Sequence, residues 1–237
     1  MSALLAPTST TFPAPARDAA LLTRLAGRIA CSADEVAAFP SLDAARTAIS
    51  AAFFAGRRTL LARPGSDALA SRAWSDARSA READALPFDG LVAAARSAET
   101  VLLSSPVESG RGLRATITPR ELLLLRSRAP QPVLLLDLLD EERARIPLTQ
   151  PALLLPGTLV VRGFGPLWRD AGAASLAPIV FVAGPRDLIA SLGAAPIDPA
   201  LVARACAELD DPGIDARVRR AAARQRLEIE DSPVATH

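Results

Sequence analysis

The chain has 237 residues, half of them hydrophobic, with 27 basic and 26 acidic side chains and a formal charge of +1; this length suits one α/β domain with a sizeable core, or that domain plus a small appendage. Near neutrality, with both signs mixed along the sequence, argues against an electrostatic footprint for nucleic acid, and the apolar runs are too short to span a membrane. Lysine, asparagine and tyrosine are absent, so every basic side chain is an arginine, a bias that a GC-rich coding sequence accounts for without any phosphate-binding role.

Met1 to Ala16 is a leader rich in Ser, Thr, Pro and Ala, expected to be flexible and unlike a signal peptide or a transmembrane segment. Asp18 to Ala30 places Leu21, Leu22, Leu25 and Ile29 at helical spacing. Ser32-Ala-Asp-Glu35 reads as a capping box for a helix in the next segment, and Ser41 starts a helix through Ala55. Thr59 to Ala62, closed by Pro64-Gly65, reads as a buried strand, and a helix is expected over Ser66 to Ala77. Pro87 to Arg96 reads as a helix entered through a proline, and Thr100 to Ser104 as the next strand. Thr118-Pro-Arg-Glu121 is a helix start with its N-cap, first-turn proline and reciprocal glutamate. Gln131 to Asp137, Thr158 to Arg162 and Ile179 to Ala183 are continuous apolar runs, as in strands buried on both faces. From Pro185 the pattern turns helical, with Asp198-Pro199 opening one helix, Asp211-Pro212 separating it from the last, and a polar tail from Asp231 to His237. This alternation predicts an α/β protein with a mainly parallel sheet and helices on both faces, its ligand crevice at the carboxyl ends of the strands.

Much chemistry is excluded by residue type. The sole histidine is the terminal His237, so Ser-His-Asp, Cys-His and histidine-based metal sites lack their base or ligand. A P-loop lacks its lysine, and Gly110-Arg-Gly112 does not complete a dinucleotide-binding GxGxxG. Cys31 and Cys206 have no partner spacing and are expected to be small buried or half-buried residues. Arg217, Arg220 and Arg224 fall on one helical face, with Glu228 four residues after Arg224, which reads as a solvated amphipathic face. Among the carboxylates, Asp137, Asp140, Glu141 and Glu142 come directly after a buried strand, at the edge where α/β sites form. Asp140 onward reads better as a solvated helix start facing a positive dipole end. Asp137, still on the strand, stands out as the candidate.

Three stretches carry a family resemblance. Ser32 to Ala45 resembles a strand, turn and helix whose N-terminus holds a cofactor phosphate, with Pro40 and Leu42 where small glycine or hydroxyl residues are preferred. Val101-Leu-Leu-Ser-Ser-Pro-Val-Glu-Ser-Gly110 resembles a strand leading into an Asn-Pro-Asn-Asn-Pro loop, with Val107 or Glu108 near the place of the asparagine that bonds the ring oxygen. Leu135-Leu-Asp137, Leu159 to Gly172 and Ile179 to Ile189 resemble a strand-end Asp-Glu-Ala-Tyr, a strand reading Val-Leu-Arg-Ser-Phe-Gly-Lys, a turn ending Ala-Gly-Leu-Arg and a further strand. Together they resemble the large domain of the fold type I, pyridoxal phosphate (PLP)-dependent aminotransferases, in the branch of histidinol-phosphate aminotransferases and cobalamin-pathway threonine-phosphate decarboxylases. The resemblance implies that Asp137 matches the carboxylate pairing with the cofactor's pyridinium nitrogen. It sets Pro166 on the Schiff-base lysine, Gly165 on the neighbouring Ser or Gly, Asp140 on the tyrosine and Ala174 near the phosphate-binding arginine.

The expected organisation is a flexible leader (1–16), an aminotransferase-like large domain (17–195), C-terminal helices that close the domain or remain from a small one (196–230), and a tail (231–237). No catalytic residue is assigned, and Asp137 is the one cofactor-binding candidate. The expected function is that of a catalytically inactive aminotransferase-like protein acting as a binding or dimerisation partner, in a homodimer or with an active paralogue. No cofactor is expected, or PLP held without a covalent bond; no metal, nucleic acid or membrane partner is expected, and the cytoplasm is the default location. The alternative is a divergent enzyme of the same family that binds PLP or a phosphorylated metabolite noncovalently. A third reading, a decayed gene product, has the same sequence signature.

Overall fold

The computed structural model describes residues 18–62, 75–82, 87–104, 107–109, 112–114, 118–139, 155–193 and 195–231. Among them, seven strands form one sheet in the order β1-β9-β8-β7-β4-β2-β3, and β5 and β6 pair separately. In chain order the strands are β1 (Val36–Phe39), β2 (Arg58–Ala62), β3 (Ser79–Glu82), β4 (Thr100–Ser104), β5 (Val107–Ser109), β6 (Gly112–Arg114), β7 (Val133–Asp137), β8 (Thr158–Gly163) and β9 (Val180–Ala183). Strands β3, β2, β4, β7 and β8 are mutually parallel, while β9 runs antiparallel to both β8 and β1.

The helices are α1 (Ala19–Ile29), α2 (Leu42–Ile49), α3 (Phe88–Ala95), α4 (Pro119–Arg128), α5 (Gly165–Asp170), α6 (Arg186–Ala190), α7 (Pro199–Leu209) and α8 (Ile214–Asp231). α2 continues as a π-helical turn over Ser50–Phe54, and the hydroxyl of buried Thr100 donates to the Phe53 carbonyl at 2.7 Å, tying that turn to β4. The α4 start is as the sequence predicts, with Thr118 capping, proline in the first turn and Glu121 returning the bond. Asp198 caps α7 by accepting from the Ala200 N–H at 2.7 Å. The helix expected from Ser66 lies mostly outside the described residues, as do the leader and the tail from Ser232.

Strand register separates the two faces, because partners across a ladder project to the same side. Leu60, Val101, Leu134, Leu136 and Val160 face α3 and α4. On that same face Val36, Phe181 and Ala183 meet α1, α5, α7 and α8. Phe39, Leu61, Leu102, Leu135, Leu159, Val161, Val180 and Val182 turn to the opposite face, where α2, its π turn and α6 cover them. Each fully buried Leu, Val or Phe contributes about 1.5–3 kcal/mol of burial, which is why the inner runs of the three central strands, Val101 to Leu103, Val133 to Leu136 and Leu159 to Val161, are all apolar.

Some elements differ from the sequence reading. Ser32 and Glu35 do form the reciprocal capping pair, but it opens only a single 3-10 turn over Ala33–Glu35. The chain then passes into β1, because Val36 and Phe39 are buried against β9 on the two faces of the sheet. Strands β3, β5 and β6 carry no sustained apolar run and were not expected. Cys31 is half-buried and Cys206 buried, both as free thiols. No helix among the described residues is long and apolar enough to cross a membrane.

Ion pairs fasten the α1, α7 and α8 layer. Arg24 binds Asp210 through two bonds, at 2.8 and 2.6 Å, and Arg28 pairs with Asp215 while lying over the Trp168 ring at 5.0 Å. Arg217 holds Asp211 at 2.5 Å and the Ala171 carbonyl at 2.8 Å. The Arg24 bond to Asp210 and the Arg217 bond to Asp211 hold both carboxyls below the ordinary value of 3.8. Depressed carboxyls stabilise the fold fully above the unfolded value and lose that contribution as pH falls through the folded one. Urea unfolding across a pH series should therefore show stability declining below about pH 4, and Arg24→Met should make that decline shallower.

The α1 C-cap generates a second expectation. Ala30 adopts φ +56°, a left-handed conformation that costs an L-residue roughly 1–2 kcal/mol and suits glycine. Ala30→Gly should raise unfolding stability by about 0.5–1 kcal/mol after the extra unfolded-state entropy is deducted, measured as a higher urea midpoint at constant slope.

Candidate functional site

The carboxyl ends of the parallel strands lie along one edge of the sheet. Phe39, Val180 and Gly163 stand in one row across β1, β9 and β8. Two residues below Gly163 runs the row of Val161, Asp137 and Ser104 across β8, β7 and β4. Asp137 is 1% exposed, and its Oδ1 accepts from the Leu139 N–H at 3.2 Å. Through register it shares its face with Leu135 and Val161, which meet α2.

α2 begins at this same edge, directly after β1. Ser41 is its N-cap, with its hydroxyl accepting from the Ala44 N–H at 3.2 Å. The helix N-terminus is thus present, as an anion site would require, but one of its free N–H groups is already satisfied from within. The residues around the cap are Phe39, buried, and Leu42, half-buried in the apolar cluster, and the Asp43 carboxylate of the first turn pairs with Arg46 at 3.1 Å.

β8 ends at Gly163, and Gly165 opens α5 at φ +52°. Pro166 is next, in the first turn of α5, and is exposed. Ala174 is also exposed, in the turn after α5. The N–H groups of Ser175 and Leu176 in that turn donate to the Glu208 carboxylate of α7, at 3.1 and 3.0 Å. Val107 and Glu108 lie on β5, whose ladder pairs Glu108 with Leu113 of β6. Asp140, Glu141 and Glu142 lie outside the described residues. Among the described residues no group of three or more His, Cys, Asp and Glu could hold a metal ion.

No protein-family model matches the chain, and no curated protein matches it in sequence. Solved structures do match it in fold. Histidinol-phosphate aminotransferase from Sinorhizobium meliloti, solved with pyridoxal 5′-phosphate, superposes with a TM-score of 0.67 at 20% identity over 92% of this chain and 62% of that one. The fold is that of the large domain of the fold type I aminotransferases. L-threonine-O-3-phosphate decarboxylase from Porphyromonas gingivalis matches at 0.66 and 17% identity, over 92% of this chain and 69% of that one. A tetra mutant of aspartate aminotransferase from Thermus thermophilus matches at 0.73 and 14%, over 95% and 73%. The chain spans about two thirds of the length of these enzymes, and identities this low establish the fold alone.

In this aminotransferase-like frame, the residues at the carboxyl edge do not fit a covalently held PLP. Pro166 has no amine to form an imine, and the 237 residues contain no lysine. The turn that would carry the phosphate arginine has Ala174 and is braced internally by Glu208. Asp137, which the resemblance sets on the carboxylate that pairs with the cofactor's ring nitrogen, is a buried carboxylate at the end of β7. The residues that the motifs do not mark are Leu139 and Gly163, which flank Asp137 on the same face; period-two counting from Asp137 and Val161 would have marked both.

The α2 cap provides the test of the local structure. Ser41→Ala should cost about 1 kcal/mol of stability and Ser41→Gly only a few tenths, read from denaturant midpoints.

Proposed function

We propose that this protein is a non-catalytic aminotransferase-fold protein, working in the cytoplasm as a binding or dimerisation partner of a second copy or of an active paralogue. The observation that carries this reading is Pro166 in the first turn of α5, just past β8, in a sequence without lysine. A lysine there forms the resting imine and moves the substrate proton, and no other side chain type replaces both roles. Asp137 supports common ancestry of the site more than activity, since a carboxylate cannot supply the amine that forms the imine.

A second reading, a divergent enzyme that holds PLP or a phosphorylated metabolite noncovalently, is favoured by one feature: Asp137 is buried at the edge where the family's carboxylate meets the pyridinium nitrogen.

Adding pyridoxal phosphate to the purified chain should give no saturable aldimine absorption band that survives gel filtration, and no amino-group transfer; such a band would defeat the non-catalytic reading. Sedimentation of the chain alone and mixed with a purified aminotransferase from the same cell should reveal a stable complex. A strict monomer in both samples would defeat the partner role.

A further inference from the structure

The amino ends of the parallel strands form the sheet edge away from Asp137, and charge along that edge is unevenly divided. At the β2 and β3 end stand Arg57 and Arg58 at the start of β2, Arg78 before β3, and Arg96 just after α3. Glu99, just before β4, is shared by Arg58 and Arg78, each at 3.3 Å. Arg96 donates to the Arg128 carbonyl at 2.9 Å, and Arg128 pairs with Asp89. Asp76 accepts from the Ser50 hydroxyl. Among the described residues this end therefore carries five arginines against three carboxylates, and Arg57 pairs with none of them.

At the β1 and β9 end the balance reverses. Asp34 and Glu35 precede β1, while Arg186 and Asp187 follow β9, whose last residue, Ala183, stands opposite Val36. The Gly184 N–H donates to the Glu35 carbonyl at 3.0 Å, joining the two segments at this edge. Arg186 pairs with Asp34, and Arg28, in the last turn of α1, pairs with Asp215. Glu35, which accepts from the Ser32 N–H at 2.8 Å, and exposed Asp187 are left without a cation among the described residues. Between the two ends, the segments leading into β7 and β8 expose Pro130, Gln131 and Pro156. Arg126 turns inward there, onto the carbonyls of Pro132 and Pro130 at 2.6 and 2.7 Å.

The edge thus has a basic end, an uncharged middle and an acidic end. Six strand spacings of about 4.8 Å separate the ends by roughly 29 Å, well beyond the Debye length of about 8 Å at physiological salt. Neither surplus neutralises the other within one chain. A two-fold axis through the middle sets the basic end of one copy on the acidic end of the next, and makes that contact twice. A polyanion would match the basic end alone and be repelled by the other.

We propose that this amino edge is a self-complementary docking surface for a second copy of the chain. The inference rests on the partner role and gives it a surface.

Sedimentation velocity of the full chain at low salt should show a reversible monomer–dimer equilibrium. Raising sodium chloride from roughly 0.05 to 0.5 M should weaken it about tenfold. Arg57→Glu and Asp187→Arg disturb no ion pair among the described residues. Each alone should weaken the homodimer by about tenfold or more, because like charges then meet at both ends. Mixing the two single variants should restore a dimer within about threefold of wild type, since altered end meets altered end and native end meets native end. Circular dichroism and a cooperative melt confirm that each variant is folded.

A monomer at every concentration, a dimer indifferent to salt or to both variants, or folded single variants with no recovery on mixing would each overturn the edge. So would a monomeric chain that binds polyaspartate through Arg57, which would give the basic end an acidic partner instead. A chain that is monomeric alone but binds the aminotransferase, or that dimerises indifferently to both variants, sinks this surface and leaves the partner role standing.

Discussion

Three neighbouring parallel strands, β4, β7 and β8, are apolar on both faces and buried on both. A ladder sheathed in this way can present polar groups only at its ends, because a polar side chain in the middle of a face would lose its water without gaining a partner. The helices must therefore lie on both sides, and the loops must gather at the two edges. α2 starts where β1 ends, α5 where β8 ends, and Asp137 closes β7 at the same edge. That double burial sets the position of every candidate group.

The occupants of the edge are then decided by side-chain size and charge. An aminotransferase-like sheet places a strand-end carboxylate, a helix N-terminus and a turn near one another whether or not they are used. Here a carboxylate, Asp137, stands at the end of β7, while one N–H of the α2 N-terminus is satisfied by Ser41, the turn after α5 is braced by Glu208, and the space over Gly163 holds Leu139. Groups that would meet a ligand meet the protein itself. The arginines obey the same logic: Arg24, Arg28 and Arg217 are spent fastening α1, α7 and the turn after α5.

The strongly patterned elements were legible in the sequence. Val133 to Asp137 and Thr158 to Gly163 could be read because apolar runs of that length need burial on both faces, and Thr118-Pro-Arg-Glu121 because its capping residues act locally. β1 was harder: read locally, Ser32 to Glu35 starts a helix, and its strand was visible only through the family resemblance. β3, with Ser79, Arg81 and Glu82, lies at the sheet edge and carries no apolar signal. The site was half legible. Asp137 and Pro166 could be singled out by motif order, whereas the approach of Leu139 to Gly163, a residue 24 positions away in numbering and one strand away in space, could not.

The sequence by itself determined the alternation of strands and helices, the missing lysine, and the carboxylate at the end of β7, since these depend on residue type and near-neighbour spacing. Tertiary structure decided the reversed direction of β9, the pairing of Arg24 with Asp210, the bracing of the α5 turn by Glu208 and the contact of Leu139 with the space over Gly163. Each of those depends on which distant segments the burial of the sheet brings within a few ångströms, and no local pattern encodes that distance.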